Sequence, residues 1–365
     1  MGRSDVSRLD VGAWVVGATG GAILIVALGI FTASAGWGYD FAAYDAAARR
    51  LLTGEPLFLS DTAQLYAAGA YEGLYLYPPP LAIVLMPLAL APPDAATVVW
   101  LVLRIVVLVF GCAVMPVARW IRLMTFGLAC CSFPVLNDLN IGNVSVVVFA
   151  LTAVAWRWSG TPVAAFAHAF LVAIRIPSVL YFLTWAARAD VRRIIGTTAA
   201  GLLLLALSLP IVGVQTYADY VTIIRHLPDI STGPHNLSLK STLLQVGAPE
   251  TVAALMGVVG AFFGASATVF AARRRDDAVA IVVTAVATLL VWPFLHPHYL
   301  VLLILPAALL ADRGWRMAIL LPLAGWLPGP LLPFVAVVVV VALLRVGRGP
   351  VRDAGLSPSA APAGA

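Results

Sequence analysis

The sequence has 365 residues, 62% of them hydrophobic and only 11% charged, with a formal net charge of +5. A soluble globular domain carries about 25% charged residues, so the composition excludes one. The apolar runs are long and continuous, which reads as helices that satisfy their own backbone hydrogen bonds in lipid and not as a β-barrel. The positive charge sits in arginine clusters between those runs, as cytoplasmic loops of membrane proteins do, so nucleic acid is not expected as a partner. Cys112, Cys130 and Cys131 lie in or beside apolar spans with no C-x-x-C spacing, so neither a disulfide framework nor a zinc site is expected.

Spans of about 20 apolar residues, with Lys/Arg clusters placed inside, predict the elements in order. The first runs from about 11 to 32 behind Arg3 and Arg8. It exceeds the apolar core of a cleaved signal peptide, so a retained helix is expected. Residues 33–80 follow as a first outer loop. Asp40–Thr53 predicts an amphipathic helix on the membrane surface, stopped by Gly54. Leu81–Ala91, bracketed by prolines, predicts a short juxtamembrane or re-entrant helix. Ala95–Val117 crosses inward and Leu123–Leu136 returns, delivering the polar string Asn137–Asn143. Val144–Trp156 goes in. Val163–Ile174 and Pro177–Ala187 meet at Arg175 on the outer side. Ile194–Val212 goes out to a second outer loop, 213–240. Three further segments, Thr251–Ala272, Ala278–Phe294 and Tyr299–Ala311, precede a last pair that turns at Pro328–Pro330, and 346–365 reads as a disordered cytoplasmic tail. The expected fold class is all-α, a single polytopic domain over 1–345 with about twelve transmembrane helices. Nearly every arginine cluster then falls on one side. The opening loop, the polar string, Arg175, His235, Lys240, His296 and His298 fall on the other.

Each candidate has a plain structural reading and a functional one. Asp40, at the start of the predicted helix, reads as a helix cap or as a carboxylate that takes a proton from an acceptor hydroxyl. Asp138 reads as a second carboxylate or a cap. Arg175 is an ionisable group in a broken membrane segment, where charges are costly and usually functional, or a plug paired with Asp138. Lys240 is an anion ligand or an interfacial snorkelling residue. His296 and His298 suit phosphate or acceptor contact better than a metal, having no defined carboxylate partner. Asp45, Glu55, Asp61 and Glu72 read as solvated loop charges. There is no phosphate-binding P-loop, no dinucleotide-binding glycine motif and no H-E-x-x-H. An ATP-driven pump and a Rossmann-type nucleotide-sugar enzyme are therefore not expected.

Asp-Phe-x-x-Tyr-x-x-Ala-Ala at 40–48, Leu-Leu-x-Gly-x-Pro-Leu-Phe at 51–58 and Tyr-Pro-Pro at 77–79 resemble the polyprenol-phosphate-mannose-dependent α-mannosyltransferases of actinobacterial type, glycosyltransferase family 87 of the GT-C fold. Asn140-Ile-Gly-Asn143, Arg175-Ile-Pro177, Asn236-x-Ser238-Leu239 and His296-x-His298 follow in family order, with departures at Asn143 and Arg175. The resemblance implies inverting transfer of a sugar from a polyprenyl-phosphate donor to a hydroxyl of a glycolipid or cell-envelope glycan. It places the reaction on the extracytoplasmic side of the plasma membrane, usually without a metal or other cofactor. It implies Asp40 as base. Arg175, Lys240, His296 and His298 are the candidates for the donor phosphate, and Tyr44, Tyr77, Asp138, Asn140, Asn143 and Asn236 for sugar or acceptor contact. A polyprenyl-phosphate-arabinose-dependent arabinosyltransferase and a lipid-linked sugar transporter or flippase stand as alternatives.

Overall fold

The computed structural model describes residues 3–34, 36–59, 61–67, 74–226 and 236–345, so Glu72, His235 and the 346–365 tail lie outside the described residues. The chain is built from helices and turns, with no strand among the described residues. The N-terminal part comprises α1 (Arg3–Phe31), α2 (Tyr39–Thr53), α3 (Thr62–Ala67), α4 (Pro79–Leu85), α5 (Pro93–Val114), α6 (Arg119–Cys130), α7 (Phe133–Ile141) and α8 (Ser145–Arg157). Then come α9 (Pro162–Ile174), α10 (Leu180–Ala187), α11 (Val191–His226), α12 (Leu239–Gln245), α13 (Glu250–Arg274), α14 (Asp277–Val291), α15 (Ile304–Asp312) and α16 (Leu332–Arg345). Short 3₁₀ segments join them, notably Ile176–Val179, Pro297–Leu303 and Arg316–Trp326.

Four stretches are long and apolar enough to cross a bilayer: Leu9–Phe31, Pro93–Val114, Val191–Arg225 and Glu250–Arg274. The α6–α7 pair, bent by 60°, qualifies as a fifth. The remaining apolar helices are 10–17 residues long, short of the roughly 20 residues a full span needs. The bend falls at Ser132-Phe133-Pro134, where the proline occupies the first turn of α7 and has no N–H to continue α6. The polar string Asn137–Ile141 is therefore largely helical, inside α7, and not a linker after it.

The described part 213–226 of the expected 213–240 loop is helical. Gly213 (φ 76°, ψ 164°) breaks the helical conformation, and Pro210 precedes it, yet helix resumes to His226. The expected short helix after the triple proline is present as α4 followed by a 3₁₀ turn at Leu88–Leu90. α1 and α6 cross very closely. A Cβ on Gly20 would lie 2.2 Å from the Gly127 carbonyl oxygen, and one on Gly127 would lie 2.3 Å from that of Val16, the small-residue contact by which membrane helices approach.

Ala280–Leu290 and Leu300–Ala311 are buried all round, as expected of helices apolar on every face at the centre of a bundle. The outer helices turn apolar side chains outward: Ile25 is 71% exposed, Val214 73% and Phe262 75%. The arginine clusters meet at one end of this bundle. Arg188 pairs with Asp277 and donates to the carbonyls of Ala272 (2.8 Å) and Arg275 (3.0 Å). Arg313 pairs with Asp276 at 2.5 Å, the Asp312 carboxylate accepts from the Ala118 amide, and Arg275 donates to the Leu344 carbonyl. α8 runs from that end, at Arg157, to Ser145 at the other, where the polar candidates gather.

Candidate active site

The site is assembled on α2, which starts and stops where the sequence provides for it. Gly38 and Gly54 flank it in the left-handed conformation, at φ 75° and 74°. Its buried face is Phe41, Ala43, Tyr44, Ala47 and Ala48, with Leu52 left 40% exposed. Two contacts pin its first turn, one to the end of α7 and one to α5: the Gly38 amide donates to the Asn140 carbonyl (2.8 Å), and Phe41 stacks on Trp100 at 5.6 Å. Asp45 corrects one expectation. It is 7% exposed and paired with Arg49 at 2.7 Å, and Arg49 also reaches the Ala91 carbonyl at 2.6 Å. It ties α2 to the turn before α5 and is not a solvated charge.

Asp40 lies in the first turn of α2, but Gly38 holds the cap position and no side chain caps the helix. The carboxylate instead accepts from the Asn143 side-chain amide at 2.6 Å. Asn143 is a hub. Its nitrogen also lies 3.3 Å from the Tyr77 hydroxyl, and its oxygen accepts from the Val144 amide (2.7 Å) and the Ser145 hydroxyl (3.2 Å). Tyr44 meets Tyr77 edge-on at 5.2 Å. Tyr75 fixes the Tyr-Pro-Pro-Pro turn by donating to the Pro78 carbonyl (2.8 Å) and accepting from the Ala82 amide (3.0 Å).

The turn that presents Asn143 is held from behind. Gly142 has φ 87°, and a Cβ there would lie 2.7 Å from the Phe41 Cβ, so only glycine fits. At the end of α7 the Asp138 carbonyl accepts from the Gly142 and Asn143 amides, and the carbonyls beyond it have no intrahelical donor. Trp100 and Arg104, one turn apart on α5, add side-chain donors here: Trp100 Nε1 donates to Gly142 O (2.8 Å), and Arg104 to Asp138 O (2.6 Å) and Leu139 O (3.1 Å). Asp138 is fully buried, accepts from the Ser145 amide at 2.8 Å and lies 3.7 Å from Arg104. Of its two readings, the geometry is that of a cap on α8, and its ion partner is Arg104, not Arg175.

Arg175 stands at the break between α9 and the next 3₁₀ turn, 7% exposed, with its guanidinium 4.3 Å from the centre of the Tyr299 ring. His298 packs edge-on against the same ring at 4.6 Å, and His296 lies parallel to His298 at 5.6 Å. Nε and Nη2 of Arg175 and both ring nitrogens of His298 have no hydrogen-bond partner among the described residues. Tyr77 and Tyr299 both lie close enough to Asp40 for its charge to bear on their hydroxyls, and Arg175 acts on both tyrosines. Asp40, Asn143, Tyr44, Tyr77, Arg175, His296 and His298 thus belong to one connected cluster, with Tyr299 at its centre.

The other candidates sit differently. Asn236 is committed to main chain: it donates to the Pro293 carbonyl (2.7 Å) and accepts from the amides of Ser238 (2.9 Å) and Leu295 (3.0 Å). It braces the strand-like segment leading to His296 and leaves no free face for a ligand. Lys240 lies in the first turn of α12 and packs against Gly257 of α13; among the described residues no hydrogen bond or ion pair joins it to Arg175 or His298. Asn140 contributes its carbonyl to Gly38, and its Oδ1 is buried without a partner. Arg104 and Tyr299 were not among the sequence candidates. An arginine in the middle of the apolar span 93–114, whose other charge is Asp94 at its very start, was the available signal for the first.

Burial pushes the Asp40 carboxyl up from 3.8 to about 6, while the Asn143 hydrogen bond and the Arg104 charge hold it down. A carboxylate with that affinity ionises near neutral pH and is a stronger proton acceptor than an ordinary aspartate. Across the cluster, Arg175 presents unpaired N–H groups suited to an anion. The model of glycosyltransferase family 87 matches residues 75–293. No curated protein and no solved structure matches the chain.

Proposed function

The chain belongs to glycosyltransferase family 87, and from that premise we propose that this membrane glycosyltransferase moves a mannosyl residue from a polyprenyl-phosphate donor to a hydroxyl of a glycolipid or cell-envelope glycan. The reaction runs at the end of the bundle opposite the arginine clusters, on the extracytoplasmic side of the plasma membrane. The shorter apolar helices complete about twelve crossings, tilted or broken and sheltered by the longer ones.

Asp40 takes the proton of the acceptor hydroxyl as its oxygen attacks the anomeric carbon. The bond to the lipid phosphate breaks on the opposite face, giving inversion, as the paired-group geometry of inverting sugar displacement requires. The leaving phosphate gains negative charge as it departs. Arg175 offers a guanidinium fork to that charge, backed by His298 and His296. Asn143 orients the Asp40 carboxylate and Tyr77 stands beside it.

The observation that carries the reading is the presence, in one cluster, of Asp40, held by Asn143 at 2.6 Å, and of a buried arginine whose Nε and Nη2 lack partners among the described residues. The test is transfer by the purified chain from a panel of polyprenyl-phosphate sugars. Transfer from the mannosyl donor above all others is expected. Transfer from the arabinosyl donor would reassign the sugar, and transfer from none would overturn the lipid-donor assignment.

A further inference from the structure

At the arginine-rich end, away from the Asp40 cluster, α9 and α11 part around a cavity of about 350 Å³. His168 and Trp185 line its buried side, at 8% and 1% exposure. Arg192 and Arg193 line it at the start of α11. Phe166 and Leu203 line it where the two helices turn outward, at 43% and 45% exposure. The space is left open by small side chains: a Cβ on Gly196 would still lie 3.6 Å from that of Ala165.

Three arginines at this end have a carboxylate partner. Arg188 is answered by Asp277, Arg313 by Asp276 and Arg193 by Asp190 at 3.1 Å. Arg192 has no carboxylate within ion-pair distance among the described residues. α9 and α11 also both begin at the cavity, so the positive ends of two helix dipoles face it. The polar part of the cavity therefore favours an anion. Its other part is apolar and continuous with the outward, lipid-facing surface of α9 and α11, which a free anion would leave unused. The ring of His168 lies with Nδ1 3.0 Å from the Ala164 carbonyl. A carbonyl only accepts, so Nδ1 carries the proton and Nε2 is the ring's acceptor, suited to a hydroxyl.

We propose that this cavity binds one anionic phospholipid, its phosphodiester at Arg192 and Arg193 and an acyl chain along Phe166 and Leu203. Basic pockets between membrane helices on the arginine-rich side recognise such head groups. The site is separate from the transfer chemistry, and its occupancy does not depend on which sugar the enzyme moves.

The test is native mass spectrometry of the full chain, delipidated in detergent and exposed to equimolar phosphatidylglycerol and phosphatidylcholine. The wild type should retain one phosphatidylglycerol in preference to phosphatidylcholine. Arg192→Gln and the double variant Arg192→Gln/Arg193→Gln should lower that retention, the double variant by roughly tenfold. Gly196→Met, which fills the cavity, should lower retention of both lipids. Arg157→Gln, at the same end but outside the cavity, should change nothing. Equal retention of the two lipids by the wild type, unchanged retention in the arginine variants and in Gly196→Met, or displacement by millimolar inorganic phosphate would each overturn the proposal.

Discussion

Asn143 donates to Asp40 at 2.6 Å, and that bond is one of the two influences holding the carboxyl near 6 against burial. Removing it with Asn143→Ala withdraws a hydrogen bond to a charged group, about 1.5–3 kcal/mol. At 1.36 kcal/mol per unit, that moves the Asp40 titration up by about 1–2 pH units. The base must be ionised to act, so activity falls as pH drops below its titration. The acid limb of the kcat/KM profile should sit near 6 in the wild type and roughly 1–2 units higher in the variant. Alanine also uncaps the Val144 amide, at about 1 kcal/mol of stability. Asn143→Asp keeps an oxygen for that amide while setting a second carboxylate beside Asp40, so its limb should move up further still. The assay is transfer from the lipid donor across pH, with thermal midpoints recorded for all three proteins. A limb that stays at its wild-type position in both variants, whatever happens to the plateau, would refute the assignment of Asp40 as the titrating base.

Four other outcomes follow from the same geometry. Gly142→Ala forces a positive φ on alanine and overlaps Phe41, so thermal unfolding in detergent should show a loss of about 2–5 kcal/mol. Arg104→Met strands a fully buried Asp138 and should cost about 3–5 kcal/mol, part of which Arg104→Met/Asp138→Asn recovers. Arg175→Lys keeps the charge but loses the planar fork, and the donor KM should rise roughly tenfold with the thermal midpoint little changed. The raised Asp40 affinity means the folded chain binds this proton more tightly than the unfolded one between 3.8 and about 6. Its contribution to stability therefore declines as pH rises through that window, by about 2–3 kcal/mol in all. Asp40→Asn should accordingly unfold at a higher temperature than wild type at pH 7.

The parts of this molecule that follow local rules were legible in the sequence. The helix after Asp40 stops at Gly54 because the left-handed cap needs a glycine, and the break at Arg175 precedes a proline that cannot extend α9. The arginine clusters, sorted by the inside rule alone, meet in space at Arg188, Asp277, Arg313 and Asp276. What depended on tertiary partners was not legible. Asp40 reads as a cap in the sequence, but Gly38 holds that position and Asp40 finds Asn143, 103 residues away, as its partner. Asn236 reads as a ligand, yet main-chain groups of 293–295 consume its amide. Tyr299 is hidden among interfacial aromatics until the fold places Arg175 over its ring. The stretch after Gly213 carries polar residues that resemble a loop, but a kink lets helix continue. The short apolar runs showed their lengths but not how they share the bilayer.

The central claim is that Asp40 is the proton acceptor of the transfer reaction. Asp40→Asn preserves the shape of the side chain and can still meet Asn143, so it removes the charge with little else. Single-turnover transfer from polyprenyl-phosphate mannose, with donor binding measured on the same preparation, is the direct test. The account predicts a rate lower by roughly 10²–10⁴-fold with donor affinity and folding retained. Wild-type turnover by Asp40→Asn would contradict it.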